Sequence, residues 1–324
     1  ANAQVPRQLV GLGADTVALV ALPLFHAFGM TVMHNAVLAV GGTLVLQPRF
    51  SPGGAAELIE RHGVTFFGGV PTMYMALLDD GVTAGRDLET LRWCVSGGAP
   101  LPAAVLGAFE ERFGVCLLEG YGLSETSPVT SFTVPGRPRT PGSIGYPVPG
   151  VELALVDDDG RFVTTPGTRG EICVRGDNVM KGYWRNPDAT ADAIVDGWFH
   201  TGDIGEFDAD GAYRIVDRKK DLIIRGGYNV YPREIEEVLH RHPGVAQAAV
   251  VGVPDARYGE EVMAVVVLKP GATDAPKEIV AWCRTRLAGY KRPHIVEVRE
   301  SLPLGPTGKV LKQALRASAR SQAA

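Results

Sequence analysis

The spacing of apolar and polar positions divides the chain into three regions. Residues 17–116 alternate apolar runs, such as "GTLVLQPRF" and "VTFFGGVPT", with helical segments, such as "PGGAAELIERHG". Strands that alternate with helices in this way are typical of a parallel α/β sheet. Between "SFTVPGRPRTPGS" and Arg218 the strands are short, and Asp159-Gly160 and Asp210-Gly211 predict hairpins. We therefore expect this middle region to be antiparallel β.

The last hundred residues predict a separate small α+β unit. In "YPREIEEVLHRH", Pro232 suits a first helical position, and Ile235, Val238 and Leu239 repeat at the spacing of one helix face. Strands "AQAAVVGV" and "EVMAVVVLK", a helix over "KEIVAWCRTRLAGY" and a polar, basic tail follow. The fold class is thus α/β and α+β multidomain. We place an α/β part at 1–135, an antiparallel β part at 136–219 and a small domain at 220–324, with a hinge near Lys220.

Composition then excludes several classes of protein. The chain has 324 residues, 45% hydrophobic and 21% charged, which is ordinary for a globular protein with a sizeable core. A formal net charge of −4 supplies no basic field for nucleic acid. The four cysteines lack paired metal-ligand spacing, so we expect buried free thiols and a reducing, cytoplasmic location. No apolar run approaches a transmembrane segment, and "ANAQVPRQLV" lacks the features of a signal peptide.

The stretch "LLEGYGLSETSP" brings together side chains that suit a nucleotide. A strand that ends at Leu118 would place Tyr121 at the carboxyl edge of the sheet, where ligands of open sheets bind. A ring flanked by glycines can stack on a heterocycle, and Glu125 offers a hard oxygen ligand for Mg²⁺. Ser124 adds a hydroxyl. Taken alone, the stretch still favours a plain Gly-rich turn.

Four further clusters change that balance. Asp203 in "WFHTGDIGEF" could accept hydrogen bonds from both hydroxyls of a ribose, and Arg218 and Lys220 follow the second hairpin closely. The Gly-Gly-Tyr turn of "RGGYNVYPREIE" permits close approach of a ligand to the backbone. Lys309 follows a glycine in "PLGPTGKVLK". Each has a plain alternative (turn Asp, surface Arg, loop Gly, solvated Lys), but their coincidence in this order is improbable.

That order resembles the adenylate-forming, AMP-binding superfamily of acyl-CoA synthetases, peptide-synthetase adenylation domains and beetle luciferases. The resemblance covers nearly the whole chain through "LPLFHAFGM", "VPTMY", "SGGAPL", "YGLSET", "GEICVRG", "KGYWRNPDAT", "GWFHTGD", "DRKKDLIIRGGYNVYP" and "LPLGPTGKVLK". It implies the remainder of a large N-terminal domain, with a parallel α/β sheet and an antiparallel β subdomain. A small, mobile α+β C-terminal domain would follow.

The resemblance also assigns roles in nucleotide binding. Tyr121 would stack on the adenine, Glu125 would coordinate Mg²⁺, and Ser124, where the family usually has Thr, would touch the phosphate or the substrate carboxylate. Lys220 would be the pivot between the domains. The other residues that it assigns to the nucleotide are Gly98, Ala99 and Pro100, Glu119 and Gly120, Ile215 against the nucleoside, and Asp203 and Arg218 on the ribose.

Two successive reactions follow from the resemblance, with ATP (and its product AMP), Mg²⁺ and CoA as the expected cofactors. Lys309 would enter the site for adenylation, where charge accumulates on the α-phosphate. Rotation of the small domain would then replace Lys309 by the "RGGYNVYP" loop, and Gly226 and Gly227 would border the pantetheine tunnel. His26 resembles a family residue near the acyl and thiol path, and we expect it to have a positional role.

One departure from the family is a missing phosphate-binding loop. The family's Ser/Thr/Gly-rich loop ending in Pro-Lys-Gly lies upstream of "LPLFH", and this sequence has none; "GPTGKV" lacks the spacing of a Walker loop. We therefore expect a chain without its N-terminal part. The apolar surface so exposed predicts poor solubility alone, or association with a second copy or with the missing N-terminal part.

The predicted acyl pocket favours monocarboxylic acids. Its residues, Val70, Thr72, Met73, Gly97 and Gly122, include no arginine, so a second carboxylate would lie unpaired at a cost of several kcal/mol. We expect a medium- or long-chain fatty acid and CoA. Alternatives are a CoA ligase for an aromatic acid such as a cinnamate, and an adenylation enzyme that loads a carrier protein. From another class, a non-catalytic fragment would bind nucleotide without turnover.

Overall fold

The chain folds into two compact units. The structure, a computed structural model, describes residues 2–137, 139–140, 142–305 and 309–323. One unit comprises Ala1–Thr201 and Gly205–Ile215, and the other comprises Gly202–Ile204 and Val216–Ala324. The three-part division at 135 and 219 stays a prediction. Residues 306–308 of the "LPLGPTGKVLK" motif lie outside the described residues.

The first unit begins with a parallel sheet flanked by helices, as predicted. Its strands are β1 (Val17–Val20), β2 (Thr43–Leu46), β3 (Phe66–Gly69), β4 (Trp93–Gly97) and β5 (Cys116–Gly122). They lie in the order β2-β1-β3-β4-β5, each parallel to its neighbours. The helices are α1 (Val5–Val10), α2 (Ala36–Ala39), α3 (Pro52–His62), α4 (Pro71–Leu77), α5 (Asp80–Thr83) and α6 (Ala103–Phe113), with a π-helical segment at Phe28–Asn35.

Both faces of this sheet carry apolar cores. Successive strand residues point to opposite faces, so Phe66 packs into one core and Phe67 into the other. The second core is centred on Tyr74 of α4, which is fully buried in edge-on contact with the Phe67 ring. The Tyr74 hydroxyl lies 2.7 Å from the Val95 carbonyl oxygen and 3.3 Å from that of Phe67. One side chain therefore joins α4 to two adjacent strands.

An antiparallel region continues the sheet beyond β5. Its strands are β6 (Val129–Phe132), β7 (Ser143–Pro147), β8 (Val151–Val156), β9 (Phe162–Val163), β10 (Gly170–Gly176), β11 (Ile194–Val195), β12 (Trp198–Phe207) and β13 (Tyr213–Arg218), with helix α7 at Pro187–Ala193. The described residues thus form a 13-stranded sheet, and the division between the units falls within β12 and β13. Asp159-Gly160 joins the antiparallel pair β8 and β9, and Asp210-Gly211 joins the neighbours β12 and β13. Both hairpin predictions are confirmed.

Strand β5 is longer than the sequence predicted. We expected it to end at Leu118, but it runs to Gly122. Gly120 pairs with Gly97 of β4 on one side, and Tyr121 pairs with Ser131 of β6 on the other. Hydrogen bonding from both sides overrides the turn preference of the glycines, so the prediction of a loop here is wrong.

The second unit is a five-stranded sheet with helices. Its strands are β14 (Ile223–Arg225), β15 (Tyr228–Val230), β16 (Val245–Asp255), β17 (Gly259–Leu268) and β18 (Ile295–Val298), and its helices are α8 (Pro232–His240), α9 (Pro276–Arg284) and α10 (Lys312–Ala323). The order is β15-β14-β17-β16, with β18 parallel to β17. Pro232 begins α8, and Ile235 and Leu239 are fully buried, which confirms the predicted amphipathic helix.

The predicted polar tail is instead helix α10. Leu315 is fully buried, Lys312 lies 2.8 Å from Glu236, and Arg316 lies 2.8 Å from Asp221. Lys312 and Arg316 are one turn apart, so both reach their partners from one face of the helix. These distant partners stabilise a helix whose own sequence looked like a solvated tail. Among the described residues, no helix has the length and apolar character needed to span a membrane.

Candidate functional site

The carboxyl edge of the parallel sheet collects the predicted residues of the first unit. Because β1, β3, β4 and β5 are parallel neighbours, their carboxyl ends meet at one edge. The predicted residues at this edge are His26 beyond β1, Val70, Thr72 and Met73 beyond β3, Gly97, Gly98, Ala99 and Pro100 at the end of β4, and Glu119, Gly120, Tyr121, Gly122, Ser124 and Glu125 at the end of β5. The structure therefore groups the side chains that the motifs assigned to adenine, metal and acyl chain.

The glycines at this edge permit close packing of the backbone. A Cβ atom at Gly120 would lie 2.5 Å from the Phe132 ring, and one at Gly97 would lie 3.2 Å from the Phe28 ring. At Gly122 it would lie 2.0 Å from a carbonyl oxygen of the neighbouring chain segment. A side chain at Gly120 would displace the Phe132 ring, and one at Gly122 would displace the backbone of the neighbouring segment. Gly98, with φ of +81°, turns the chain out of β4 toward Ala99 and Pro100.

Tyr121 is buried rather than displayed on a loop. It is 9% exposed and belongs to an apolar cluster with Ile144 and Leu153. Ile215 packs against the same cluster, so the structure brings together two of the residues that were predicted to contact the nucleoside. The Tyr121 carbonyl accepts a hydrogen bond of 3.0 Å from the Thr130 hydroxyl. A nucleobase could therefore meet only the small accessible part of the ring.

Glu125 has a fixed orientation at the end of the edge. Its Oε1 accepts a hydrogen bond of 3.0 Å from the Tyr183 hydroxyl, and its backbone carbonyl accepts one of 2.7 Å from the Met180 N–H. Desolvation, together with this carboxylate, raises the pKa of Tyr183. Ser124 is exposed and begins the 3-10 turn Ser124–Thr126. Sequence reasoning missed Tyr183, because it lies 58 positions from Glu125; its motif "KGYWRNPDAT" was the available signal.

The carboxylate of Glu125 fits a nucleotide-bound Mg²⁺ as a single protein ligand. Within the described ranges, no group of three or more His, Cys, Asp or Glu residues is arranged to hold a metal ion. Mg²⁺ that accompanies a nucleotide needs only one or two carboxylates, since phosphates and water complete its shell. The donor set at this edge is therefore of the kind used when the substrate brings the metal.

His26 has a structural hydrogen bond. Its Nδ1 accepts a hydrogen bond of 3.3 Å from the Phe28 N–H, and the residue is half-buried. Phe28 in turn faces Gly97, one of the predicted acyl-pocket residues. His26 thus shapes the turn that presents Phe28, and its positional role near the acyl and thiol path stays a prediction.

The second unit places Asp203, Arg218 and Lys220 within electrostatic range of Lys309. The Asp203 carboxylate, 3% exposed, accepts a hydrogen bond of 3.0 Å from Arg218 Nε, whose side chain is 46% exposed. Desolvation and then the Arg218 guanidinium lower the pKa of Lys309, with Lys220 contributing in the same direction and Asp203 opposing it. Lys309 is exposed, and the Arg218 guanidinium near it disfavours a second positive charge.

Gly226 and Gly227 form the turn of the β14–β15 hairpin. Arg225 pairs with Tyr228 across it, and the two glycines have φ of +57° and +84°. Positive φ at both central positions is the type I′ geometry, for which glycine is strongly preferred. Both glycines are exposed, so the turn offers bare backbone to a ligand.

Comparison with known proteins gives consistent matches. Residues 1–184 match the family described as AMP-binding enzyme, and residues 234–309 match the AMP-binding enzyme C-terminal domain. The chain is 44% identical over 303 residues to a long-chain-fatty-acid–CoA ligase of Bacillus subtilis, covering 94% of this chain and 54% of that protein. It is also 44% identical over 308 residues to a feruloyl-CoA synthase of Amycolatopsis, covering 94% of this chain and 62% of the relative. The chain thus spans a little over half the length of these relatives.

Solved structures give the same fold. ATP-bound MatB from Rhodopseudomonas palustris is 36% identical with a TM-score of 0.91, over 98% of this chain and 63% of that one. The anthranilate CoA ligase AuaEII in complex with anthranoyl-AMP is 33% identical with a TM-score of 0.91, over 99% and 63%. The predicted fold class is confirmed, with its α/β sheet, antiparallel β region and small α+β domain. These matches and the residues gathered at the sheet edge agree, and the chain belongs to the adenylate-forming family of AMP-binding enzymes.

Proposed function

We propose that this protein is an AMP-forming acyl-CoA ligase. In the first step a carboxylate oxygen attacks the α-phosphorus of ATP, and the bond to pyrophosphate breaks. In the second step the CoA sulfur attacks the acyl carbonyl carbon, and AMP leaves. The observation that carries the proposal is the grouping of buried Asp203 with Arg218 and Lys309 in the second unit.

The second unit's charged groups suit the ribose and the α-phosphate. Asp203 would accept hydrogen bonds from the ribose hydroxyls, with Arg218 holding its carboxylate in place. Lys309 would stabilise the negative charge that develops on the α-phosphate. Lys220 would serve as the pivot of the small domain, and Gly226 and Gly227 would border the pantetheine arm of CoA.

The first unit's edge suits the adenine and the metal. Tyr121 would contact the adenine beside Gly98–Pro100, Glu119 and Gly120, and Ile215 would contact the nucleoside. Ser124 would bind a phosphate or the substrate carboxylate. Glu125, oriented by Tyr183, would hold Mg²⁺. The ion, when bound, supplies positive charge to the phosphates.

We further propose a monocarboxylic acid, preferably a medium- or long-chain fatty acid, as the substrate. Val70, Thr72, Met73, Gly97 and Gly122 supply no cation for a second carboxylate, and Val70 is buried while Thr72 and Met73 are half-buried. The feruloyl-CoA synthase, as similar as the fatty-acid relative, supports an aromatic acid as the second candidate. A carrier-protein thiol in place of CoA is a further alternative acceptor.

The test uses the protein as it occurs naturally. It is incubated with ATP, Mg²⁺ and octanoate, palmitate or ferulate, and both pyrophosphate and the CoA thioester are measured. Thioester from octanoate or palmitate supports the fatty-acid proposal, whereas thioester from ferulate alone supports the aromatic one. Pyrophosphate without thioester favours a carrier-protein acceptor. Nucleotide binding without pyrophosphate from any acid would refute the ligase and leave a non-catalytic nucleotide-binding protein.

A further inference from the structure

The exposed Gly226–Gly227 turn is built on a buried ion pair. Ile224 is 55% exposed and Tyr228 is 60% exposed, whereas Arg225 between them is only 8% exposed. Arg225 Nε donates to Glu261 Oε1 at 2.6 Å, and its Nη2 donates to Glu261 Oε2 at 2.8 Å. Two parallel charge-assisted hydrogen bonds of this kind fix the plane of the guanidinium. The side chain of Arg225, at the start of the turn, therefore has a fixed orientation.

Residues 258–261, just before and at the start of β17, also hold the backbone that leads into the turn. The Gly226 N–H donates to the Tyr258 carbonyl at 2.8 Å, and the Ile224 N–H donates to Glu260 Oε2 at 2.7 Å. The Arg225 guanidinium also lies 4.2 Å from the centre of the Tyr258 ring. Three consecutive residues that lead into the turn therefore each contact residues 258–261.

The turn needs this support, because its own strands are short. β14 and β15 have three residues each, and an isolated two-stranded hairpin is marginal even when longer. A buried ion pair contributes little net stability compared with apolar residues of similar size. Its fork geometry, however, fixes orientation in a way that apolar residues cannot. The arrangement is therefore better suited to holding the turn's shape than to stabilising the unit.

We propose that Arg225 and Glu261 are positioning residues for thioester formation, acting through the backbone of Gly226 and Gly227. The inference rests on the proposed function, in which this turn borders the pantetheine arm of CoA. In that step the C–S bond forms, the C–O bond to AMP breaks, and the thiol proton passes to water. Adenylation requires Lys309 instead, so loss of the Arg225–Glu261 pair should impair one half-reaction and spare the other.

The decisive variant is Glu261→Gln, which keeps the side-chain size and removes the charge. Pyrophosphate release reports adenylation, and thioester formation from supplied octanoyl-adenylate and CoA reports the second step. We expect kcat/KM for CoA to fall about a hundredfold, the effect of a misplacement of about 1 Å, with pyrophosphate release unchanged. The Gly226 amide should also lose protection from hydrogen exchange.

A matched control lies in the same unit. Glu297 accepts two hydrogen bonds from Arg299, at 2.6 and 3.0 Å, but this pair is remote in sequence from the turn and its side chains are 22% and 26% exposed. Glu297→Gln should leave both half-reactions unchanged. Arg225→Lys keeps the positive charge but loses the fork, so it should reproduce the selective loss, and it decides the matter if Glu261→Gln does not fold.

The outcomes separate this inference from the function on which it rests. Equal loss of both half-reactions in the Arg225 and Glu261 variants, or no loss in either, would overturn the positioning role while leaving the ligase intact. A wild-type protein that releases pyrophosphate but makes no CoA thioester would overturn the proposed acceptor and this inference with it.

Discussion

The ion pair that anchors helix α10 provides the sharpest test of the fold of the second unit. Lys312 Nζ lies 2.8 Å from Glu236 Oε1, with side chains 19% and 16% exposed. Burial disfavours the ammonium, but the carboxylates of Glu236 and Asp217 outweigh it and raise the pKa of Lys312. Asp217 is itself buried, and desolvation raises its pKa. Lys312→Met would leave two mostly buried carboxylates without their cation.

The size of the effect follows from this burial. Two unit charges about 4 Å apart attract by about 4 kcal/mol at the effective dielectric constant of a protein surface region. Removing one partner of a buried pair costs about 3–5 kcal/mol. Since about a fifth of each side chain is exposed, we take the lower end, about 3 kcal/mol in the free energy of unfolding of the second unit. The urea midpoint of that unit should fall by at least about 1 M.

The assay is urea denaturation monitored by hydrogen exchange of peptides from α8 and α10. These peptides report the unfolding of the second unit independently of the first. Arg92→Met is the control for an exposed pair in the first unit and is monitored with peptides from that unit; Arg92 lies 2.6 Å from Asp15, and these side chains are 63% and 65% exposed. It should leave the midpoint unchanged, because exposed pairs contribute little. The double variant Glu236→Gln/Lys312→Met should recover part of the loss. A midpoint of the second unit in Lys312→Met equal to that of the wild-type protein would refute the reasoning.

Three further predictions concern the proposed site and its support. Asp203→Ala removes the acceptor held by Arg218, and we expect the KM for ATP in pyrophosphate release to rise about tenfold or more, the effect of losing a charged hydrogen bond. The pKa of Lys309 is lowered, so its ammonium should lose its proton at a lower pH than an ordinary lysine, whose pKa is about 10.4. We expect the rate of adenylation to fall as pH rises through this range, and Lys309→Arg should move this alkaline limb of the pH–rate profile to higher pH. Tyr74→Phe removes a buried hydroxyl with two carbonyl neighbours, so thermal unfolding should show a loss of about 1–3 kcal/mol.

Each of these has a result that contradicts it. An unchanged KM for ATP in Asp203→Ala would remove Asp203 from the ribose site. An alkaline limb at the same pH in wild type and Lys309→Arg would mean that another group titrates. Full stability of Tyr74→Phe would show that neither carbonyl depends on the hydroxyl.

Sequence patterns predicted those parts of the fold that depend on local signals. Asp-Gly turns marked the hairpins, and Pro232 marked the start of α8, because these residues act through their own backbone. The end of β5 was predicted wrongly, since its pairing with two strands decides it. Helix α10 was missed for the same reason: its partners Glu236 and Asp221 lie far away in sequence.

The candidate site shows the same division. The order of motifs named Asp203, Arg218 and Lys309, and the second unit brings them together. The motif "KGYWRNPDAT" contains Tyr183 but did not show that its hydroxyl donates to Glu125, and no motif pointed to Glu261 beneath the Gly-Gly turn, because those contacts join distant positions of the chain. Motifs can therefore name the residues that contact a ligand. The residues that orient those side chains can be identified only from the fold.

The position of Tyr74 has a consequence for how new substrate preferences could arise in this protein. Helix α4 carries Thr72 and Met73 of the proposed acyl pocket, and the Tyr74 hydroxyl links that helix to β3 and β4. A shift of the helix to admit a longer or wider acid would have to break both contacts in a close-packed core. Evolution, or a protein engineer, would therefore change acid preference more readily by exchanging side-chain volume at positions 70, 72 and 73 than by moving the helix that carries them.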